Sequence, residues 1–278
     1  MGSQYHRIAA LGSSFAAGPG IEPVADRAAG RSARNYPHLL ADRLGARLTD
    51  LTVSGATTST LLDTPQRRGG TRFPPQVHGI PADTDLVTVT VGGNDLNYIG
   101  RLFTHAVAAR LATRAWTRPL RAVLPGPQVP TPSAADVEHV ATGLADVVAA
   151  VRERAPGVRV LLVDYLTVLG PDTLPGPEAP FAPDVLDGLR RLGDRVEDVF
   201  AEAAARSGAE LVRIGERSRA HALGSAQPWV TGLPGRLRDL RTVVPFHPNA
   251  DGMRATAEAV ADHLTTSPTG PDDHQPAR

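Results

Sequence analysis

The chain has 278 residues, 41% hydrophobic and 21% charged, with 29 basic against 29 acidic side chains and therefore a formal net charge of zero. A chain of this size and polarity buries roughly three quarters of its unfolded surface, which excludes intrinsic disorder, and its charge balance removes any global attraction to nucleic acid. All the basic residues are arginine and there is no cysteine, which excludes lysine Schiff bases, the P-loop lysine, thiol nucleophiles, disulfides and metal-thiolate sites. Chemistry must then rest on Ser, His, Asp, Glu, Asn and the backbone, with no metal or organic cofactor expected. No apolar run is long enough for stable membrane insertion. Met1 leads directly into Arg7-Ile8-Ala9-Ala10-Leu11 without a basic leader and a long apolar region, so a cytoplasmic location is expected.

Taken in order, the chain opens with an apolar run that predicts a strand near 7–11, leaving into Gly12-Ser13-Ser14-Phe15. A helix over 35–45 follows, capped by Asn35. The next strand, 47–53, exits into Ser54-Gly55-Ala56-Thr57. A third, 85–91, is β-branched almost throughout, as a buried parallel strand is, and ends on Gly92-Gly93-Asn94-Asp95. Helical spacing then covers 96–113 and 134–154, the latter capped by Ser133. A strand at 158–164, a helix at 183–207, a strand at 209–214 and a last helix at 248–264 complete the pattern. Three Pro- and Gly-rich connections, 114–132, 165–182 and 215–246, are long enough to act as covers over a site. The alternation predicts one α/β domain over 1–264, a three-layer α/β/α sandwich around a five-stranded parallel sheet, with a Pro-rich flexible tail over 265–278. In such sheets ligands bind outside the carboxyl ends of the strands.

The residues leaving those strand ends are the candidates for chemistry. Ser14, at a glycine-flanked strand exit, can present both its hydroxyl and its own N–H to a ligand. Gly55 permits close backbone approach and can offer an amide to an oxyanion, and the Asn94 side chain can be a further donor. His247, in Val243-Val244-Pro245-Phe246-His247-Pro248-Asn249-Ala250-Asp251-Gly252 just ahead of the last helix, is placed to accept a serine proton. Each residue taken alone also reads as a turn or a helix cap.

Together, in this order and over nearly the whole chain, Ser14, Gly55, Gly92-Gly93-Asn94-Asp95 and His247-Pro248-Asn249 with Gly252 resemble the SGNH hydrolase superfamily, the GDSL esterases and lipases. The resemblance implies a flavodoxin-like sheet of order 2-1-3-4-5 and hydrolysis of a carboxylic ester through an acyl-enzyme. It implies Ser14 as nucleophile, His247 as general base, and an oxyanion hole from the Ser14 and Gly55 amides and the Asn94 side chain. Phe15, Tyr98 and Trp229 are candidate walls of the substrate pocket. An acyltransferase using the same site, and a ligand-binding module without an activated serine, are the alternatives.

Two positions depart from the family pattern. Ser13 stands where the family has aspartate, and Val244 stands three residues before the histidine, where the family places its triad carboxylate. A backbone carbonyl can accept the Nδ1 proton and fix the tautomer, so the Val244 carbonyl is the expected partner of a Ser-His dyad. Asp239, Asp251 and Asp164 are the carboxylates that could replace it.

Between Leu96 and Ala135 there are five arginines, Arg101, Arg110, Arg114, Arg118 and Arg121, and no acidic residue. Like charges at helical i, i+4 spacing need something anionic opposite them. The acidic helix that carries Asp184, Asp187, Asp194, Glu197 and Asp198 is one candidate. A lipid head group or an anionic acyl carrier, met through interfacial contact of the 96–121 segment, is the other.

Overall fold

The computed structural model describes residues 5–112, 126 and 128–266. In chain order the strands are β1 (Arg7–Gly12), β2 (Val24–Asp26), β3 (Arg31–Ser32), β4 (Arg47–Asp50), β5 (Gln66–Arg68), β6 (Thr71–Phe73), β7 (Leu86–Thr90), β8 (Arg159–Val163) and β9 (Glu210–Val212). The helices are α1 (Ser14–Ala17), α2 (Tyr36–Leu44), α3 (Thr58–Leu62), α4 (Tyr98–Ala112), α5 (Ala134–Arg154), α6 (Pro183–Ser207), α7 (Ile214–Ser218) and α8 (Ala250–Thr266).

Five parallel strands form the central sheet in the order β4-β1-β7-β8-β9, which is 2-1-3-4-5 when these five alone are counted. Every residue of β7 and β8 is buried, as follows for strands covered by helices on both faces. The helices pair in two groups, α2 with α8 and α5 with α6, with α4 against α6. Both predicted caps are present: Asn35 accepts from the His38 amide at 3.1 Å, and Ser133 and Asp136 form a reciprocal capping box.

Several boundaries moved, each for a local reason. β4 ends at Asp50 because the Asp50 carboxylate accepts from the amide and hydroxyl of Thr52, at 2.9 and 2.6 Å, and this turn lifts the chain out of the ladder. The last helix begins at Ala250 because Pro248 is bridged to Val230 and the Asn249 side chain accepts from the Gly252 amide. It runs on to Thr266, so Thr265 and Thr266 belong to the helix and not to a tail; 267–278 lie outside the described residues. The antiparallel pairs β2–β3 and β5–β6 were not anticipated, since neither has an apolar alternation. Arg114, Trp116, Arg118 and Arg121 also lie outside the described residues. Among those described, no helix is long and apolar enough to cross a membrane.

Candidate active site

β1 and β7 end side by side, with Gly12 opposite Thr90, so whatever leaves these two strands meets at one edge of the sheet. The Gly12 backbone is held on both sides by buried Gln76, whose Oε1 accepts from the Gly12 amide at 2.8 Å and whose Nε2 donates to the Gly12 carbonyl at 3.1 Å. The Ser13 amide donates to the Thr90 carbonyl, and the chain then turns at once into α1 with Ser14 as its first residue. A first helical residue has no carbonyl behind it for its own N–H. The Ser14 side chain therefore stands at the sheet edge, 6% exposed, with its amide directed to no protein acceptor among the described residues.

His247 reaches this point from the far end of the chain. Its Nε2 lies 2.9 Å from Ser14 Oγ and its Nδ1 2.8 Å from the carbonyl oxygen of Pro245. A carbonyl only accepts, so Nδ1 carries the proton and Nε2 presents its lone pair to the serine hydroxyl. The expected partner, the Val244 carbonyl, is engaged elsewhere: it accepts from Thr231 Oγ1 at 2.6 Å. The reason for the one-residue correction is the backbone of Phe246, which has φ +60. That left-handed turn, anchored by a bond from the Phe246 amide to the Thr231 carbonyl at 2.7 Å, brings the Pro245 carbonyl to the imidazole. A bulky residue in this region is strained by on the order of 1–3 kcal/mol, and such strain persists only where surrounding contacts hold it; Phe246 is fully buried, 5.9 Å from the Phe181 ring.

None of the carboxylate alternatives touches the imidazole. Asp164 is buried and accepts from the Gly215 amide at 2.8 Å, its pKa pushed up to about 7 by burial. Asp251 pairs with Arg254 at 3.0 Å and Asp239 lies 3.7 Å from Arg238. With a carbonyl in place of a charge, burial dominates at His247 and draws its pKa from 6.5 down to about 4, against the opposing effect of the Pro245 bond.

The other two strand exits bring further donors. Gly55 has φ +85, a conformation that favours glycine, and its amide, like that of Ser14, has no protein acceptor among the described residues. One N–H of the Asn94 side chain donates to the Ala56 carbonyl at 2.8 Å, which ties the Gly92–Asp95 turn to the Gly55 loop. Its second N–H has no bonded acceptor among the described residues. The same two segments are pinned again by Asp95, whose carboxylate accepts from the Thr58 hydroxyl at 2.6 Å and from its amide at 3.1 Å.

Ser13, the position without an aspartate, is fully buried and its hydroxyl lies 2.9 Å from the Tyr165 hydroxyl, which in turn accepts from the Gly93 amide at 3.3 Å. Gly93 has to be glycine for this contact, since a Cβ there would lie 2.8 Å from the Tyr165 ring. Tyr165 and Gln76 are the supporting residues that sequence reasoning missed. Tyr165 could have been noticed as the first residues after a predicted strand end are reached, whereas Gln76 carries no signal.

The three candidate pocket walls fare differently. Phe15 is 4% exposed and packed with its ring centroid 4.3 Å from Tyr165 and 5.6 Å from His247, so it supports the imidazole from inside the core. Tyr98 is equally buried, with its hydroxyl against Gly193 of α6. Trp229 lies flat on His221 at 3.9 Å and borders a cavity shared with Asp251 and Arg254 of α8. Apolar side chains of this size go to the core before they go to a pocket.

The GDSL-like Lipase/Acylhydrolase family matches residues 10–255. Lipase 2 of Streptomyces coelicolor is 32% identical over 262 residues, covering 92% of this chain and 84% of that protein. Among solved structures, phospholipase A1 from Streptomyces albidoflavus NA297 superposes with a TM-score of 0.71 at 20% identity, over 93% of this chain and 99% of that one. The extracellular lipase from Streptomyces rimosus does so with 0.69 at 21% identity, over 92% and 99%. Those two likenesses concern the fold, while the span of the family match and the identity to Lipase 2 concern descent. The chain belongs to the GDSL-like lipase/acylhydrolase family and is a carboxylic ester hydrolase of the GDSL type.

Proposed function

We propose that ester hydrolysis runs through an acyl-enzyme on Ser14, with His247 as general base and the Pro245 carbonyl in place of a triad carboxylate. The observation that carries this reading is the 2.9 Å contact between Ser14 Oγ and an imidazole Nε2 whose other nitrogen is committed to a carbonyl. Ser14 Oγ attacks the ester carbonyl carbon as its proton passes to Nε2. The negative charge that develops on the ester oxygen is met by the amides of Ser14 and Gly55 and the second N–H of Asn94. Collapse expels the alcohol, which takes the proton from Nε2, and the same imidazole then activates the water that releases the acid. The Ser-His contact favours this over a binding module, and the names of the lipase relatives favour water over an alcohol as the acyl acceptor.

The direct test is a fluorophosphonate probe, which should label the protein stoichiometrically at Ser14 and fail to label Ser14→Ala; labelling at another serine overturns the assignment. A second test uses pH. The reactive form is the neutral imidazole, and His247 has its pKa lowered from 6.5 to about 4, so kcat/KM should rise on the acid side and be flat already at pH about 6.5, the ordinary histidine value. A carboxylate beside the ring would raise that pKa and move the rise to or above the ordinary value. A profile still climbing through neutrality rejects the carbonyl dyad.

A further inference from the structure

With no carboxylate bonded to its ring, His247 is oriented by a backbone carbonyl, and a carbonyl points where its peptide plane points. Two consecutive peptide planes precede the histidine. The Pro245–Phe246 plane is held at both ends: its carbonyl accepts from His247 Nδ1 at 2.8 Å and its amide donates to the Thr231 carbonyl at 2.7 Å. The Val244–Pro245 plane has only one handle, because proline has no N–H. That handle, the Val244 carbonyl, accepts from Thr231 Oγ1 at 2.6 Å, its one hydrogen bond among the described residues.

The hydroxyl has a single proton to give. At 2.6 Å from the Val244 carbonyl and 3.2 Å from that of His247, Thr231 Oγ1 commits it to Val244. The β-branch of threonine restricts χ1, so the hydroxyl is aimed before the loop closes on it. The Thr231 amide adds a bond to the His247 carbonyl at 2.9 Å. One residue therefore grips Val244, Phe246 and His247 together and leaves the carbonyl between them, that of Pro245, for the imidazole.

The segment around Thr231 has little room to yield. Val230 is buried and bridged to Pro248, the Leu233 amide donates to the Glu178 carbonyl at 2.9 Å, and Gly232 lies so close to Glu178 that a Cβ there would collide with that side chain. The backbone bonds of Thr231 are open to any residue that has an amide. The hydroxyl is specific to the side chain, and it opposes relaxation of Phe246 from φ +60 to the ordinary region, a rotation that would turn the Pro245 carbonyl away from the ring.

We propose that Thr231 is a positioning residue for ester hydrolysis: its hydroxyl holds the Val244–Pro245 peptide, which sets the Pro245 carbonyl against His247 Nδ1 and keeps Nε2 aimed at Ser14. The inference rests on the dyad proposed above and adds the side chain that orients it. Thr231 acts through His247 and transfers no proton.

The test compares Thr231→Val, which keeps the branched shape without the hydroxyl, and Thr231→Ser, which keeps the hydroxyl, with the wild type on a short neutral aryl ester. Thr231→Val should lower kcat by about 10–10²-fold with KM little changed, the loss expected when a reacting group is misplaced by about 1 Å. Thr231→Ser should recover most of it. In proton NMR the His247 Nδ1 proton, identified by its absence from His247→Ala, should be observed in the wild type and in Thr231→Ser and be lost to exchange in Thr231→Val. Wild-type kcat in Thr231→Val overturns the proposal, as does an equal loss in Thr231→Ser. A change confined to KM would make Thr231 a substrate contact, and a lower melting temperature with kcat and the Nδ1 resonance intact would make it a structural residue; either overturns the proposal. Thr231→Ala, which removes the hydroxyl without setting a methyl group against the Val244 carbonyl, carries the same expectations if Thr231→Val does not fold. Failure of the dyad itself is separate, since it would appear as aryl ester turnover surviving in Ser14→Ala or His247→Ala.

Discussion

Ser14→Ala and His247→Ala should each lower kcat/KM for a short-chain aryl ester by about 10³-fold or more, because residues that act as a unit lose nearly all of their joint contribution when either is removed. Stability should change little in Ser14→Ala. Among the described residues the hydroxyl makes one bond, to His247 Nε2 at 2.9 Å, and the amide and helical position of residue 14 are unaffected by the change. His247→Ala opens a space against Phe15, whose ring lies 5.6 Å from the imidazole, and should lower the melting temperature as well. The double variant should be no slower than the slower single one. Multiplying losses would mean that the two residues act in separate steps and would break the dyad. Val244→Ala provides the contrast: its carbonyl is bonded to Thr231, its side chain takes no part, and most of the activity should survive.

The second large effect is expected at Asn94. Asn94→Ala should cut kcat by about 10²–10³-fold with little change in KM, the size seen when one oxyanion donor is lost, because the free N–H matters most when charge has developed on the ester oxygen. The other N–H holds the Ala56 carbonyl, so the loss of the side chain also loosens the loop that carries the Gly55 amide. Asn94→Asp separates the two contributions. It removes both N–H donors and places a carboxylate by the developing oxyanion, and should be at least as slow as the alanine variant. Steady-state kinetics over a full substrate range decides the matter: an effect confined to KM would make Asn94 a ground-state binding residue.

Much of this protein was legible in its sequence because the relevant signals are local. The run at 85–91 is β-branched almost throughout and that at 158–164 is mostly apolar, a pattern that suits a covered parallel strand, and the structure has β7 and β8 there with every residue buried. Asn35 and Ser133 announced their helices because capping is satisfied within three residues. Glycine, serine and asparagine at strand exits could be picked out for the same reason. Their convergence could be expected too, since parallel strands bring all their carboxyl ends to one side of the sheet.

The rest depends on contacts between distant segments. Which carbonyl faces His247 was set by the Phe246 turn and by Thr231, a residue 16 positions away. The Ser13 hydroxyl found its partner in Tyr165, 152 residues on. Phe15, Tyr98 and Trp229 have the same aromatic character in the sequence, and only packing sent two of them into the core and laid the third on His221. The five arginines of 96–121 were indistinguishable as letters, yet the fold gave Arg110 a carbonyl and left the Arg101 Nε without a partner among the described residues. By itself the sequence determined the five central strands, the long helices and the four segments that carry the candidate residues, because these follow from periodicity, capping and chain direction, while the strand order was implied by the family resemblance. The tertiary structure alone decided which polar groups are satisfied and which are left free, because a hydrogen bond needs a partner within about 3 Å and that partner is seldom a neighbour in the chain.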